Sequence, residues 1–364
     1  MSEVRSMSEV GSMSEVGSMS GEGLRLLGPN VFTSGATESF DTAIRAGRVS
    51  GRPPQPAPSH ELPVAQVEPV VLASNAGMAA LRSTDVEPDD VRALFYAWTH
   101  AQGSPFWSPA HDVARRMNLH HCLPFGLQQM CNGAAAGWEL ARQTCVAGRE
   151  PTTTVVATGD VFSWPGFDRW AGDYGVLYGD AGTAVVVTND PGVKAIDDIE
   201  SRLVALGSRA MPGLAQMHHD RQAEGPEPAR VQPISVQATK KAFFEQYGKE
   251  RLVEEIRGSL RMLVPRVLDE AGTRLTGGVY LPRLMPQTLD SLYVPVVTEL
   301  VGDVPIHGPE ATTGHLGAGD AIANLADIHR SVKLAGTRQQ VNLIISAGAG
   351  FTVSAAVFVT STGV

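Results

Sequence analysis

Apolar and polar positions along the chain alternate between two periods. Alternating or continuous apolar runs at Leu24–Leu27, Val91–Tyr96, Thr153–Ala157, Thr183–Thr188, Gly277–Leu281, Asn342–Ser346 and Phe351–Thr360 predict strands. Segments with apolar residues three and four apart, at Ala76–Arg82, Ala110–Met117, Ala134–Ala147, Lys249–Ala271, Met285–Leu300 and Ala318–Lys333, predict helices. Strands and helices alternate, which predicts an α/β architecture. Arg48–Pro63 and Met211–Pro233 are rich in Gly, Pro and polar residues and read as loops. The two halves rhyme. Each has a strand, a helix with candidate chemistry, and an apolar hairpin finish, at Tyr178–Thr188 and at Phe351–Thr360. A duplicated unit follows, with halves 24–190 and 191–364, a turn near Asn189–Lys194 between them, and a site where they meet.

Residues 1–23 carry a six-residue repeat, MSEVRS then MSEVGS, too poor in apolar residues to fold, and predict a disordered tail. It lacks the basic start and apolar stretch of a signal peptide, and no run reaches membrane-span length, so a cytoplasmic protein with no membrane partner is expected. At 364 residues, 43% hydrophobic and 18% charged, the rest is a globular composition. The net charge of −9 argues against nucleic acid as a partner. The 24 Arg against 5 Lys read as a composition bias. Three cysteines, Cys122, Cys131 and Cys145, make no disulfide framework and point to a reducing compartment.

Cys131 lies in FGLQQMCNGAAAGWELARQ, where an apolar strand-like run turns into a helix. Small residues after it let backbone approach closely, and a helix N-terminus favours thiolate over thiol. Alone, it reads as a small buried hydrophobe. ATTGHLGAGDAIANLADI holds His315 in a Gly-rich turn and Asp320 five residues on, at a helix start. Singly these are a loop histidine and a helix cap. With the intervening Gly-Ala-Gly folded back, Cys131, His315 and Asp320 form a nucleophile, a base and an orienting acid.

Several motifs then share an order and spacing with one family. CNGAAAG matches a Cys-x-Gly nucleophile elbow. DRWAGDYGVLYGDAGTAVVV matches an Asp-Arg segment and a Gly-Asp-Gly-Ala-Gly hairpin. GHLGAGDA matches a Gly-Asn-Thr-Ser segment, and SAGAGFTVSAAVFV a Gly-rich turn with the final strand. Over residues 24–364 the chain resembles β-ketoacyl-ACP synthase III, within the thiolase-fold condensing enzymes. The resemblance implies duplicated βαβαβαββ halves in a five-layer αβαβα sandwich, a homodimer, and no metal or cofactor. It also implies an oxyanion hole from the backbone N–H groups of Cys131 and of the Gly348-Ala349-Gly350 turn, Ala349 in particular. Asp168-Arg169 looks like the family's structural salt bridge near the dimer interface.

The chain departs from the pattern at two places. The family's His falls at or beside Pro282 in YLPRLMPQTL, and its Asn place is taken by His315. Losing that pair should disable decarboxylative condensation. A subgroup of synthase III-like proteins in antibiotic pathways resembles this arrangement, including the His-x-x-x-x-Asp spacing. The implied function is transfer of an acyl group from an acyl carrier protein or coenzyme A thioester, through Cys131, to a hydroxyl, an amine, a sugar or a second carrier protein. A starter-unit condensing enzyme using His218 or His219 is the alternative, and an idle partner subunit a third. His218-His219-Asp220 reads as a solvated loop rather than a metal cluster. His120-His121-Cys122 has poor geometry for one metal. Arg257, Arg261 and Arg266 fit either an acidic carrier protein or a solvated helix face.

Overall fold

The computed structural model describes residues 23–51, 58–59, 61–148, 150–220, 233–308, 313–349 and 351–363. The repeat at 1–22 lies outside them, as does Gly350. The first half contributes strands β1 (Leu24–Phe32), β2 (Ala36–Glu38), β3 (Leu62–Val64), β4 (Val91–Ala97), β5 (Leu123–Leu127), β6 (Thr153–Asp160) and β7 (Ala181–Thr188). Its helices are α1 (Phe40–Arg45), α2 (Pro69–Arg82), α3 (Pro109–Arg116) and α4 (Gly133–Ala147). The second half contributes β8 (Ile199–Ala210), β9 (Val279–Tyr280), β10 (Ile306–His307), β11 (Gln339–Gly348) and β12 (Thr352–Thr362). Its helices are α5 (Val236–Tyr247), α6 (Glu250–Ala271), α7 (Pro286–Leu292), α8 (Val294–Val301) and α9 (Asp320–Ala335).

Ten strands form one sheet in the order β10-β9-β11-β12-β8-β1-β7-β6-β4-β5, while β2 and β3 pair separately. The order is symmetric about the β8–β1 join. In each half two parallel pairings (β5-β4-β6 and β10-β9-β11) lead to two antiparallel ones (β6-β7-β1 and β11-β12-β8). The join is antiparallel, Leu24 opposite Leu203 through Leu27 opposite Glu200. Arg25 Nη1 donates to Glu200 Oε2 across it at 3.1 Å. That charged pair hides β8 from a hydrophobicity reading, since IESRLVALGSRA mixes charge into a largely buried strand.

Both faces of the sheet are covered, so the central strands read as unbroken apolar runs. On β7, Val185 and Val187 face one core with α4 and α9, whereas Ala184 and Val186 face another with α2 and α3. On β11, Ile344 faces α4 and α9, whereas Leu343 and Ile345 face α6, α7 and α8. The helices α4 and α9 are therefore a buried middle layer between the two half-sheets, giving five layers. Close packing there needs small residues. A Cβ on Gly137 of α4 would stand 2.5 Å from Val156 Cγ1 of β6. The single helix expected over Met285–Leu300 is two, because Pro295 at the start of α8 has no N–H to continue α7.

Candidate active site

The chain passes from β5 to α4 through one 3₁₀ turn, Met130–Asn132. Met130 has φ +49°, a left-handed conformation that costs a non-glycine residue about 1–2 kcal/mol. The turn puts half-buried Cys131 just ahead of α4. Two glycines let backbone close around it. A Cβ on Gly133 would lie 2.6 Å from Ala97 Cβ, and one on Gly348 would lie 2.5 Å from the Asn132 backbone nitrogen. Burial pushes the Cys145 thiol up to about 11 and raises that of Cys122, which weakens each as a nucleophile.

His315 and Asp320 lie across the half-to-half junction. Gly314 (φ +67°) and Gly317 (φ +60°) adopt left-handed backbone, and a 3₁₀ turn at Gly317–Gly319 folds the chain back. His315 Nδ1 is 2.6 Å from Asp320 Oδ2, and both side chains are buried. Asp320 Oδ1 accepts the Leu316 N–H at 2.8 Å, and Oδ2 accepts the Arg283 N–H at 2.8 Å. As the first residue of α9, the carboxylate also meets the positive end of the helix. The imidazole is framed by its own backbone, whose N–H donates to Leu177 O at 2.7 Å, and by the Tyr178 ring, 5.3 Å away edge to face. With Nδ1 held by Asp320, Nε2 is left for Cys131, which lines the same cavity and whose charge acts on the imidazole.

Burial by itself disfavours a charged His315, but the Asp320 carboxylate and then the negative charge on Cys131 outweigh it. The imidazolium is held well above the usual histidine range. Burial likewise opposes ionisation of Asp320, and the charges of His315 and Arg283 reverse it, leaving the carboxyl low. His315 and Asp320 can therefore form an imidazolium–carboxylate pair beside Cys131.

They open on a cavity of about 110 Å³. Cys131, His315, Ala349 and Gly348 line one part, and Val176, Met217, Leu252, Ile256, Leu284, Leu292, Tyr293 and Phe351 supply apolar wall. His218, Asp173 and Lys240 also line it. His218 was expected in a solvated loop; instead Pro212–His218 is a 3₁₀ helix that buries Leu214 and Met217. Burial, reinforced by the Lys240 charge, pushes His218 down to about 4. The missed signal was the three-residue spacing of Met211, Leu214 and Met217, the period of a 3₁₀ helix. Asp173 and Lys240 carried no motif. His219 and Asp220 face a separate cleft beside α5. Among the described residues no three potential ligands converge as a metal site.

At the Pro282 position, backbone rather than an imidazole approaches the site. The Arg283 N–H feeds Asp320, its guanidinium bonds Thr313 and Asp327, and Leu284 reaches the cavity wall. Asp168 and Arg169 do not pair with each other. Arg169 makes a two-pronged pair with Asp180, at 3.0 and 2.9 Å, while Asp168 accepts backbone N–H groups of Ser50, Gly51, Trp170 and Ala171. Both, with Trp170, are buried inside the single chain. Arg257 and Arg261 tie α6 to its neighbours, through Ser291 O at 2.7 Å and Glu299 at 2.8 Å.

A duplicated five-layer α/β sandwich, with a cysteine at the head of one middle helix and a carboxylate at the head of the other, is the thiolase class of fold. Residues 125–207 match the family model of 3-oxoacyl-[acyl-carrier-protein] synthase III. Among solved structures, ChlB3, described as an acyltransferase, superposes with TM-score 0.78 at 26% identity, over 93% of this chain and 98% of that one. The 3-oxoacyl-[acyl-carrier-protein] synthase III of Aquifex aeolicus VF5 gives 0.65 at 18% identity, over 92% and 99%. AbyA1, described as a tetronic acid condensing enzyme, gives 0.66 at 19% identity, over 93% and 100%. No curated protein matches the sequence. The chain has the thiolase fold and is similar, over residues 125–207 and in overall structure, to synthase III-like proteins.

Proposed function

We propose that the chain is an acyltransferase that passes an acyl group from a carrier-protein or coenzyme A thioester, through Cys131, to an acceptor, without decarboxylation. The Cys131 thiolate attacks the thioester carbonyl, and the oxyanion is held by the N–H groups of Cys131 and Ala349, an arrangement worth roughly 3 kcal/mol. The donor C–S bond breaks and the departing thiolate takes the proton from His315 Nε2. Acylation removes the Cys131 charge, one of the two that lift the imidazolium. Neutral His315 then takes a proton from the acceptor hydroxyl, amine or thiol, whose attack releases Cys131 as thiolate and restores the starting pair. No cofactor enters this scheme.

The observation that carries the reading is the 2.6 Å contact of His315 with Asp320. It commits the imidazole to the nucleophile, whereas decarboxylation needs two donors aimed at an enolate oxygen. The acceptor is a small molecule, a sugar among them, or a second carrier protein, in secondary-metabolite biosynthesis; the similarity to ChlB3 supports acyl transfer. We place the enzyme in the cytoplasm; no helix among the described residues is long and apolar enough to cross a membrane. It acts as a homodimer, for which edge strand β5 offers exposed Leu123 and Phe125.

The discriminating experiment supplies a malonyl thioester labelled at the free carboxylate. Any adduct that intact-protein mass spectrometry finds on Cys131 should be intact malonyl, with no released label. Cys131-dependent label release would sink the transferase reading in favour of starter-unit condensation, for which His218 in the same cavity is the available donor.

A further inference from the structure

The cavity that Cys131 opens on carries a second polar cluster with no part in the transfer chemistry. A run of contacts links the two. The His315 ring packs on Tyr178, and Tyr178 Oη donates to Asp173 Oδ2 at 3.0 Å. Lys240 Nζ donates to Asp173 Oδ1 at 2.5 Å, and His218 faces that pair. The Lys240 and Asp173 side chains are 14% and 2% exposed, so their charges are neutralised locally rather than by solvent. His218 Nε2 is buried and finds no hydrogen-bond partner. The His218 ring packs edge to face on Phe351 at 5.2 Å, which fixes its plane.

A buried polar nitrogen without a partner is costly, and such atoms in native proteins usually mark a missing ligand or solvent group. Among the described residues around it, Phe351 and Met217 are apolar, and Asp173, Lys240 and Tyr178 are already paired. We propose that His218 is a specificity-determining residue that selects a compact acyl group bearing a hydroxyl, which bonds its Nε2 in the transfer cavity. This rests on the acyl-transfer reading and adds the substrate class to it. Three observations define that class. The volume of about 110 Å³ is below the roughly 150 Å³ of a void that holds benzene, which favours a short acyl group over a long one. The Asp173–Lys240 pair is already balanced, so a carboxylate would enter as an uncompensated charge. A neutral imidazole nitrogen is a donor or an acceptor according to tautomer, and a hydroxyl complements either.

The test is competitive loading of Cys131 from butyryl-, 3-hydroxybutyryl-, 4-hydroxybutyryl- and succinyl-coenzyme A, read by intact-protein mass. One of the hydroxyacyl groups should load about three- to tenfold faster than butyryl, the range that one net hydrogen bond supplies. Succinyl should load slowest. In His218→Phe the preference should pass to butyryl, while His218→Gln, which keeps a neutral hydrogen-bonding group, should retain it. Wild-type loading that is indifferent to the hydroxyl, or that favours succinyl, overturns the inference and leaves acyl transfer standing. So does a hydroxyl preference that survives in His218→Phe. Absence of any Cys131 adduct with all four overturns the transfer reading and this inference together.

Discussion

The turns that lead into the two middle helices occupy equivalent places in the two halves and solve opposite problems. The turn into α4 presents a side chain outward. It holds Met130 at φ +49°, a conformation unfavourable for a long side chain, and thereby sets Cys131 at the cavity. The turn into α9 folds a side chain inward. It uses Gly314 and Gly317, for which left-handed backbone is cheap, and brings Asp320 back onto His315. A side chain at Gly317 would also collide with the Asp160 carboxylate, 2.3 Å from its Cβ. Both turns exploit the same helix-end field. One half uses it beside the Cys131 thiol, the other beside the Asp320 carboxylate. Duplication supplied two similar frames, and the division of labour came from a few residues at their tips.

The largest effect should come from emptying the outward turn. Cys131→Ala should remove acyl loading altogether, whereas Cys145→Ala and Cys122→Ala should leave it intact, because burial raises both of those thiols. Adduct mass after incubation with an acyl thioester decides this. Loading that persists without Cys131 places the nucleophile elsewhere and breaks the comparison.

Emptying the inward turn should separate the two chemical steps. His315→Ala should still acquire an acyl group slowly, but transfer to acceptor should fall about 10²–10⁴-fold, the usual worth of general-base assistance. Single-turnover release from the preloaded enzyme measures it. Equal loss in both steps would mean that His315 acts only by activating Cys131.

The smallest and most informative change is Asp320→Asn. Its loss in transfer should match or fall below that of His315→Ala. Asp320 raises the imidazolium pKa, so its neutralisation lowers that pKa. The sign follows: His315⁺ is the acid for the departing donor thiol, and it would be lost at a lower pH. The alkaline limb of the loading profile should therefore move toward acid. An unmoved limb with normal transfer would reduce Asp320 to a structural cap for the Leu316 and Arg283 N–H groups.

The α/β alternation, the duplication, and the positions of Cys131, His315 and Asp320 were all legible in the sequence. Each depends on local pattern: the period of apolar residues, glycines at turns, and reactive types at helix starts. Strand β8 was not legible, because Glu200 and Arg202 break its pattern, and it is pairing with Arg25 across the join, and with Arg202 at 3.9 Å, that makes Glu200 compatible with burial. Nor was the partner of Arg169, which is Asp180 eleven residues on rather than its neighbour Asp168. The second polar cluster shows the same limit. His218, Asp173 and Lys240 lie far apart in sequence and in polar surroundings, so each alone looks solvated. Only the closure of α5, α6 and the 3₁₀ helix over the cavity removes water from them. Local preference sets which elements form; long-range packing decides which polar side chains lose their solvent, and with it which of them can select a substrate.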